Sequence, residues 1–348
     1  MHTSNLYHNP WTGALSKLLV DTTKATGGMH DATRAFICNS GTEANEAAIK
    51  FARKVGKELD PSGQKVEIVS FKGAFHGRSF GALSATPTPK YQAPFAPMVP
   101  GFRYGTFNDS APLDSLITPR TAGVLIEPIQ GEGGVHTATP AFLTALAQRC
   151  RAVGAVLIYD EIQCGLGRTG RFWAHSALPS AAGAAHPDIV TTAKALGNGF
   201  PVAAVVTNDF VASRIVTGDH GTTFGGNPLG ARVAHHVVQR LANPQLLQAV
   251  RAKEALFRRR FARLAERWPE SVTEVRGQGL LLGVQLDRNP EPVVQAARER
   301  GLLVITAGTN TLRFVPSLTV TGEEIEAGCD LLEDAMESVL GPGRTVAT

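Results

Sequence analysis

Cysteine, net charge and long apolar runs are all scarce in this 348-residue chain, and each scarcity removes a class of protein. Only Cys38, Cys150, Cys164 and Cys329 occur, and none stands in a Cys-x-x-Cys pair. A zinc ribbon and a disulfide framework are therefore not expected, and reduced thiols in a reducing compartment are. The formal charge is only +4, with no basic run interleaved with aromatics, so nucleic-acid binding has no footing. No apolar stretch approaches the roughly 20 residues of a membrane helix. Residues 1–10 lack the apolar core of a secretory signal. There is no repeat, no low-complexity segment, no Walker loop, no His-Glu-x-x-His and no Gly-x-Ser-x-Gly, so those hydrolase classes and a metal centre are not expected.

What is present suits a globular chain with a large core: 43% apolar residues, 18% charged residues and 36 glycines. The length suggests two domains, placed at residues 1–245 and 246–348. From about residue 36, short apolar runs alternate with helical periodicity, the pattern of an α/β protein. Helices are expected over 39–57, 140–153, 228–241, 244–268, 291–300 and 322–340. Strands are expected over 66–71, 123–127, 155–160, 188–192, 202–207, within 273–286, and over 302–306 and 312–315. The proline-rich stretch 86–100 reads as loop. The first strands are apolar throughout, which suits a mainly parallel sheet covered on both faces.

Several residues stand where chemistry is done. Lys194 follows an apolar strand and precedes the turn Gly197-Asn198-Gly199. A desolvated lysine there is a free nucleophile, and the alternative is a solvated lysine at a strand end. Asp160 ends the strand Val156-Leu-Ile-Tyr-Asp. Ligands of open α/β sheets sit outside such carboxyl ends. A carboxylate there can keep a pyridinium nitrogen protonated, as pyridoxal phosphate requires. Alternation points the neighbouring Glu161 away. In Asn39-Ser-Gly-Thr-Glu-Ala-Asn-Glu, Ser40 and Glu43 fit a capping box. Gly41 and Thr42 there offer backbone and hydroxyl donors to a phosphate at a helix start. The alternative is an ordinary capped helix.

Gly73-Ala-Phe-His-Gly-Arg brings Phe75, which can stack on a flat ring, and Arg78, a fork for carboxylates. Arg313 lies in an apolar strand and needs a partner, structural or ligand. Two such arginines suit a dicarboxylate such as glutamate. Glu132, on what reads as a flexible glycine loop, can neutralise one of them when the substrate has a single carboxylate. Gly221-Thr-Thr-Phe-Gly-Gly-Asn-Pro is a second phosphate candidate, or a plain loop before a helix. Gly165-Leu-Gly-Arg-Thr-Gly matches a dinucleotide fingerprint in letters only. No helix opens after it, and Asp160 and Glu161 would repel a pyrophosphate.

Together these segments resemble the class III, fold-type I aminotransferases over essentially the whole chain. The motifs that carry the resemblance are Ser40-Gly-Thr-Glu-Ala-Asn-Glu, Phe75-His-Gly-Arg, Glu127-Pro-Ile-Gln-Gly-Glu-Gly-Gly, Asp160-Glu-Ile-Gln-Cys-Gly, Ala193-Lys-Ala-Leu-Gly and Thr222-Thr-Phe-Gly-Gly-Asn-Pro. Within the class, His2-Thr-Ser-Asn-Leu-Tyr and Ile305-Thr-Ala-Gly with Leu312-Arg-Phe-Val-Pro-Ser-Leu look most like the acetylornithine branch, and the overall texture is closer to its fungal mitochondrial form than to bacterial ones. The resemblance implies pyridoxal 5'-phosphate held by Lys194, with Asp160 on the ring nitrogen, Gln163 near the ring oxygen and Phe75 stacked on the ring. Gly41 and Thr42 would bind phosphate from one subunit and Thr223 from the other, making a homodimer. Thr222 would lie beside the substrate. Arg78 would take the α-carboxylate of acetylornithine or the side-chain carboxylate of glutamate. Arg313 would take the α-carboxylate of glutamate, with Glu132 as its switch partner.

The implied reaction moves the terminal amine of N2-acetyl-L-ornithine to 2-oxoglutarate, a step of arginine biosynthesis in the mitochondrial matrix, with the cytoplasm as the alternative. Ornithine, succinylornithine and 4-aminobutyrate are the rival donors. Members of the family carry a further segment ahead of His2 that shapes the substrate entrance. Its absence here gives the expectation of a truncated chain, with an inactive chain as one alternative.

Overall fold

The computed structural model describes residues 2–4, 6–177 and 185–344. In chain order its strands are β1 (Ala32–Cys38), β2 (Glu67–Phe71), β3 (Phe102–Gly105), β4 (Thr121–Ile126), β5 (Ile129–Gln130), β6 (His136–Thr137), β7 (Val156–Asp160), β8 (Ile189–Thr192), β9 (Ala203–Asn208), β10 (Val272–Gln278), β11 (Leu281–Leu286), β12 (Ile305–Ala307) and β13 (Thr311–Phe314). The chain divides into two compact units. The first is Met1–Pro128, Ala138–Leu166 and Arg171–Asn243. The second is Ile129–Thr137, Gly167–Gly170 and Pro244–Thr348. A single cut at 245 would leave the two short segments with the first domain. They cluster with the second because their glycine-rich backbones pack on its strands.

The first unit is built on a seven-stranded sheet of order β1-β9-β8-β7-β4-β2-β3. Strand β9 runs antiparallel to both neighbours, and the β8-β7-β4-β2-β3 run is parallel. Every residue of β4, β7, β8 and β9 is buried. Alternation in β9 shows why. Ala203 and Val205 join the core under helix Gly41–Leu59, while Ala204 and Val206 join a second core with Leu15, Leu19 and Val238. Helix Gly41–Leu59 buries an alanine-rich stripe, Ala44, Ala47, Ala48 and Ala52, beside Ile49, Phe51 and Val55. Small residues let it lie close to the sheet. At Gly56 a Cβ would stand 2.3 Å from the Lys65 carbonyl oxygen. Each fully buried isoleucine or valine contributes about 1.5–3 kcal/mol.

The second unit carries an antiparallel sheet of order β10-β11-β13-β12 and the small β5-β6 ladder. Its helices are Pro244–Arg267, Glu291–Glu299 and Gly322–Leu340. The last begins with a complete capping box of Thr321 and Glu324.

Three expected helices, 140–153, 228–241 and 322–340, have the bounds seen. Helix Pro10–Ala25 and strands β1 and β3 were not anticipated. Gly13 and the β-branched Val20, Thr22 and Thr23 weaken the helical signal, and burial of Leu15 and Leu19 overrides it. The stretch read as loop, 86–100, contains two short helical turns, Pro89–Gln92 and Ala93–Phe95. Proline starts one and sits inside the other, at positions where no intrahelical N–H is needed.

Candidate active site

Parallel strands β7 and β8 bring their carboxyl ends side by side, with Asp160 opposite Thr191. Asp160 therefore emerges at the rim of the sheet, and Lys194 follows two residues after β8. Both line one cavity of about 480 Å³ in the first unit. Asn39, Ser40, Gly41, Thr42, Phe75, Arg78, Glu127 and Gln163 line it too. Seven of the residues expected to bind cofactor or substrate thus share one cavity: Gly41, Thr42, Phe75, Arg78, Asp160, Gln163 and Lys194.

Asp160 is 3% exposed, a charge that burial would penalise unless it were satisfied. It is satisfied. Oδ2 accepts from Asn45 Nδ2 at 2.7 Å and lies 2.8 Å from His76 Nδ1, and Oδ1 accepts from the Ile162 N–H at 3.0 Å. Asn45 is locked in turn, donating to the His76 carbonyl at 2.8 Å and accepting from Thr191 Oγ1 at 2.8 Å. His76 Nε2 is buried without a hydrogen-bond partner among the described residues, which assigns the ring proton to Nδ1, facing Asp160. Glu127 closes this buried group. Its Oε2 accepts from the Phe75 N–H at 3.0 Å, and burial raises its carboxyl to about 7, with His76 opposing the rise and Asp160 adding to it. None of Asn45, His76, Glu127 and Thr191 was assigned a role from sequence. The usable signal was Asn45, a polar residue on the alanine face of a helix.

Lys194 departs from expectation. It is exposed, not desolvated, because burial ends at Ala193 and the chain then turns along the cavity. Its backbone is instead unusual, at φ +30°, a region non-glycine residues rarely adopt and one enriched at functional sites. The turn that follows is tight: a Cβ at Gly197 would lie 2.0 Å from the Phe200 carbonyl oxygen.

Helix Gly41–Leu59 points its start at the same cavity. Ser40 Oγ accepts from the Glu43 N–H at 3.3 Å. The capping box is only half formed, since Glu43 reaches past Ser40 to the Asn39 N–H at 2.7 Å. Gly41 leaves room there, since a Cβ would meet two Ile162 side-chain carbons at 3.0 Å. The first N–H groups of a helix have no partner within it and favour an anion. Arg78 is exposed, with its guanidinium carbon 3.9 Å from the centroid of the Tyr91 ring and 5.5 Å from that of Phe75.

Thr222 and Thr223 lie outside this cavity lining. Thr222 Oγ1 accepts from the Gly225 N–H at 2.8 Å, and Thr223 is exposed. Glu132 and Arg313 belong to the second unit, where Arg313 Nη1 stands 2.8 Å from Glu132 Oε1. The contact has ion-pair distance without hydrogen-bond alignment. Nε and Nη1 of Arg313 are both buried with no hydrogen-bond partner among the described residues. The backbone of the loop carrying Glu132, expected to be flexible from its glycines, is tied at two points: Gly308 N–H donates to the Glu132 carbonyl at 2.8 Å and Arg276 Nε donates to that of Gly134 at 2.7 Å. Residues 165–170, the dinucleotide look-alike, run as turns, with no helix opening.

The class-III aminotransferase family model matches residues 1–336. The mitochondrial acetylornithine aminotransferase of Neurospora crassa is 67% identical over 98% of this chain and 73% of its own length. That of Saccharomyces cerevisiae is 48% identical over 97% of this chain and 80% of its own. Among solved structures, the N-acetylornithine aminotransferase of Stenotrophomonas maltophilia superposes with a TM-score of 0.80 at 37% identity, covering 97% of this chain and 82% of that one. The ornithine aminotransferase of Toxoplasma gondii superposes with a TM-score of 0.86 at 32% identity, over 97% and 79%. The chain belongs to the class-III aminotransferases.

Proposed function

We propose that this chain is a pyridoxal-phosphate-dependent aminotransferase that moves the terminal amine of N2-acetyl-L-ornithine to 2-oxoglutarate. The products are N-acetyl-L-glutamate 5-semialdehyde and L-glutamate, a step of arginine biosynthesis. The observation that carries the reading is the convergence of Asp160 and Lys194 on one cavity with a glycine-opened helix start. The 67% identity to a fungal acetylornithine aminotransferase supports the choice of donor.

The residues fit the cofactor. Gln163 Oε1 is buried at the cavity with no hydrogen-bond partner among the described residues, an acceptor suited to the ring hydroxyl. Gly41 and Thr42 suit the phosphate, and Phe75 suits the ring face. When bound, pyridoxal 5'-phosphate supplies an aldehyde that condenses with amines and a ring that accepts electrons. Asp160, held by Asn45 and His76, would keep a proton on the ring nitrogen. Lys194 Nζ, at the cavity wall, would hold the aldehyde end and, when free, would move the proton of the donor carbon. Arg78, stacked on Tyr91, keeps its fork open for the α-carboxylate of acetylornithine or the side-chain carboxylate of glutamate. Arg313 takes the α-carboxylate of glutamate when Glu132 leaves it, and its unspent donors suit that role.

The working form is a homodimer in which Thr223 serves the partner's phosphate site and Thr222 lies beside the substrate. The exposure of Thr223, away from the cavity of its own chain, supports this. The names of the fungal relatives support a mitochondrial location. The test is amine transfer to 2-oxoglutarate from acetylated and free ornithine, alongside visible spectra of the wild type and Lys194→Ala. Acetylornithine is expected to be the better donor, and the lysine-bound cofactor band is expected to vanish in the variant. A preference for free ornithine overturns the donor, and a band that survives in Lys194→Ala overturns the site.

A further inference from the structure

The antiparallel register of the second unit sets two arginines on one face of the sheet. Arg276 of β10 pairs with Gly283 of β11, and Gly283 pairs with Arg313 of β13. Residues directly opposite one another share a face, so the two guanidinium groups flank a glycine, with Cα atoms about 10 Å apart by strand spacing. Val135 fills the gap. It is fully buried, and a Cβ at Gly283 would meet its side chain at 3.1 Å. Its φ is +60°, strained for a β-branched residue and held only because its surroundings fix it.

The two arginines are treated differently. Arg276 has spent its donors: Nε on the Gly134 carbonyl at 2.7 Å, Nη1 on Glu274 at 2.7 Å, and Nη2 on Gln285 at 2.7 Å and on Thr311 Oγ1 at 2.8 Å. Arg313 retains donors without hydrogen bonds beside Glu132. Thr311 and Arg313 stand two residues apart on β13 and so share a face. The Glu132 loop is thus clamped through its backbone by Arg276 at Gly134 and by Gly308 at Glu132, while the Glu132 side chain, 37% exposed, stays free to move.

We propose that Arg276 is a positioning residue for substrate selection: it fixes the 131–134 loop so that only the Glu132 side chain swings, which sets how readily Arg313 is offered to a second carboxylate. This rests on the Glu132–Arg313 switch proposed above. Without the clamp Glu132 no longer returns to Arg313 reliably. The enzyme then discriminates less in favour of the donor that carries one carboxylate.

The experiment measures the two half-reactions of the holoenzyme separately, following cofactor absorbance after mixing with glutamate or with N2-acetyl-L-ornithine. Arg276→Gln is expected to raise the ratio of kcat/KM for glutamate over acetylornithine about tenfold, the loss of one charge-assisted hydrogen bond, through KM for acetylornithine. Arg276→Lys should restore part of the ratio. Thr311→Val, which removes one Arg276 contact, should shift it the same way by a smaller factor and guards against misfolding of the first variant. Equal falls in both half-reactions across these variants would mean a merely structural arginine and overturn the proposal. So would an unchanged ratio beside a Glu132→Gln control that does shift. If Glu132→Gln leaves the ratio unmoved, the switch itself fails, and the proposal with it.

Discussion

Asp160 and Glu161 are adjacent acids at one strand end, and replacing Glu161 separates a structural carboxylate from a functional one. Glu161 is fully buried, facing away from the cavity lining. Its carboxylate accepts from the Ala174 N–H at 2.9 Å and the His175 N–H at 2.9 Å, and meets His175 Nδ1 at 2.6 Å. His175 Nε2 lies 2.6 Å from the Gly28 carbonyl, an acceptor only, so Nε2 carries a proton and the Glu161 contact shares another. Glu161→Ala orphans two buried backbone donors, each costing about 1–3 kcal/mol, and removes the buried partner of His175 Nδ1. The total is about 4 kcal/mol, the size expected for breaking a buried pair from one side. That is a large part of the roughly 5–15 kcal/mol that holds a domain together. Denaturant unfolding of wild type, Glu161→Ala and Glu161→Gln checks it. The glutamine variant keeps one acceptor oxygen and should lose about half as much. A loss under about 1 kcal/mol for Glu161→Ala, or lost turnover at full stability, would refute the reasoning and move Glu161 into the chemistry.

Two further outcomes follow from the layer behind Asp160. Asn45→Ala removes a 2.7 Å donor from the Asp160 carboxylate and should lower kcat about tenfold or more, with KM for acetylornithine little changed; steady-state kinetics beside Thr191→Val, which should have a weaker effect of the same kind, checks it. Glu127, raised by burial from 4.5 to about 7, binds its proton more tightly folded than unfolded, so its contribution to stability is full below about pH 4.5 and is lost as pH rises through 7, about 3 kcal/mol in all. Glu127→Gln keeps an acceptor for the Phe75 N–H and should gain on wild type in thermal melts between pH 5 and 8; a constant difference over that range would refute the shift.

The site was legible where a residue's own neighbours announce it. Asp160 ends a fully apolar strand, Lys194 follows one, and Gly41 sits beside an N-cap serine, so each carries local information about where a ligand meets a strand or helix end. The layer that holds Asp160 carried none. Asn45 and Asp160 are 115 residues apart, His76 and Asp160 84, and Thr191 and Asn45 146. Their pairing exists only once helix Gly41–Leu59 lies on the sheet. Exposure of Lys194 was misjudged for a related reason. Strand burial is a property of the sheet's two faces, and it stops where the chain leaves them, one residue before the lysine.

Glycine is where sequence and structure diverge most instructively. The run Gly131-Glu-Gly-Gly reads as a flexible loop, because glycine widens backbone choice. In the fold the same residues mark close approach. A Cβ at Gly308 would stand 2.2 Å from the Gly133 carbonyl oxygen, and one at Gly134 would stand 3.2 Å from both Arg276 Nη2 and Thr311 Oγ1. Gly277 leaves the space that Val135 Cγ1 occupies, 2.9 Å from where its Cβ would be. Each glycine removes a side chain so that its backbone can touch a neighbouring backbone, a valine, or the Arg276 and Thr311 side chains. The result is a loop whose main chain is pinned by its neighbours while one acidic side chain projects from it. A loop of that kind can switch a charge without moving its backbone. It would lose that property if bulk at Gly308 or Gly277 forced the strands apart, even with Glu132 and Arg313 untouched.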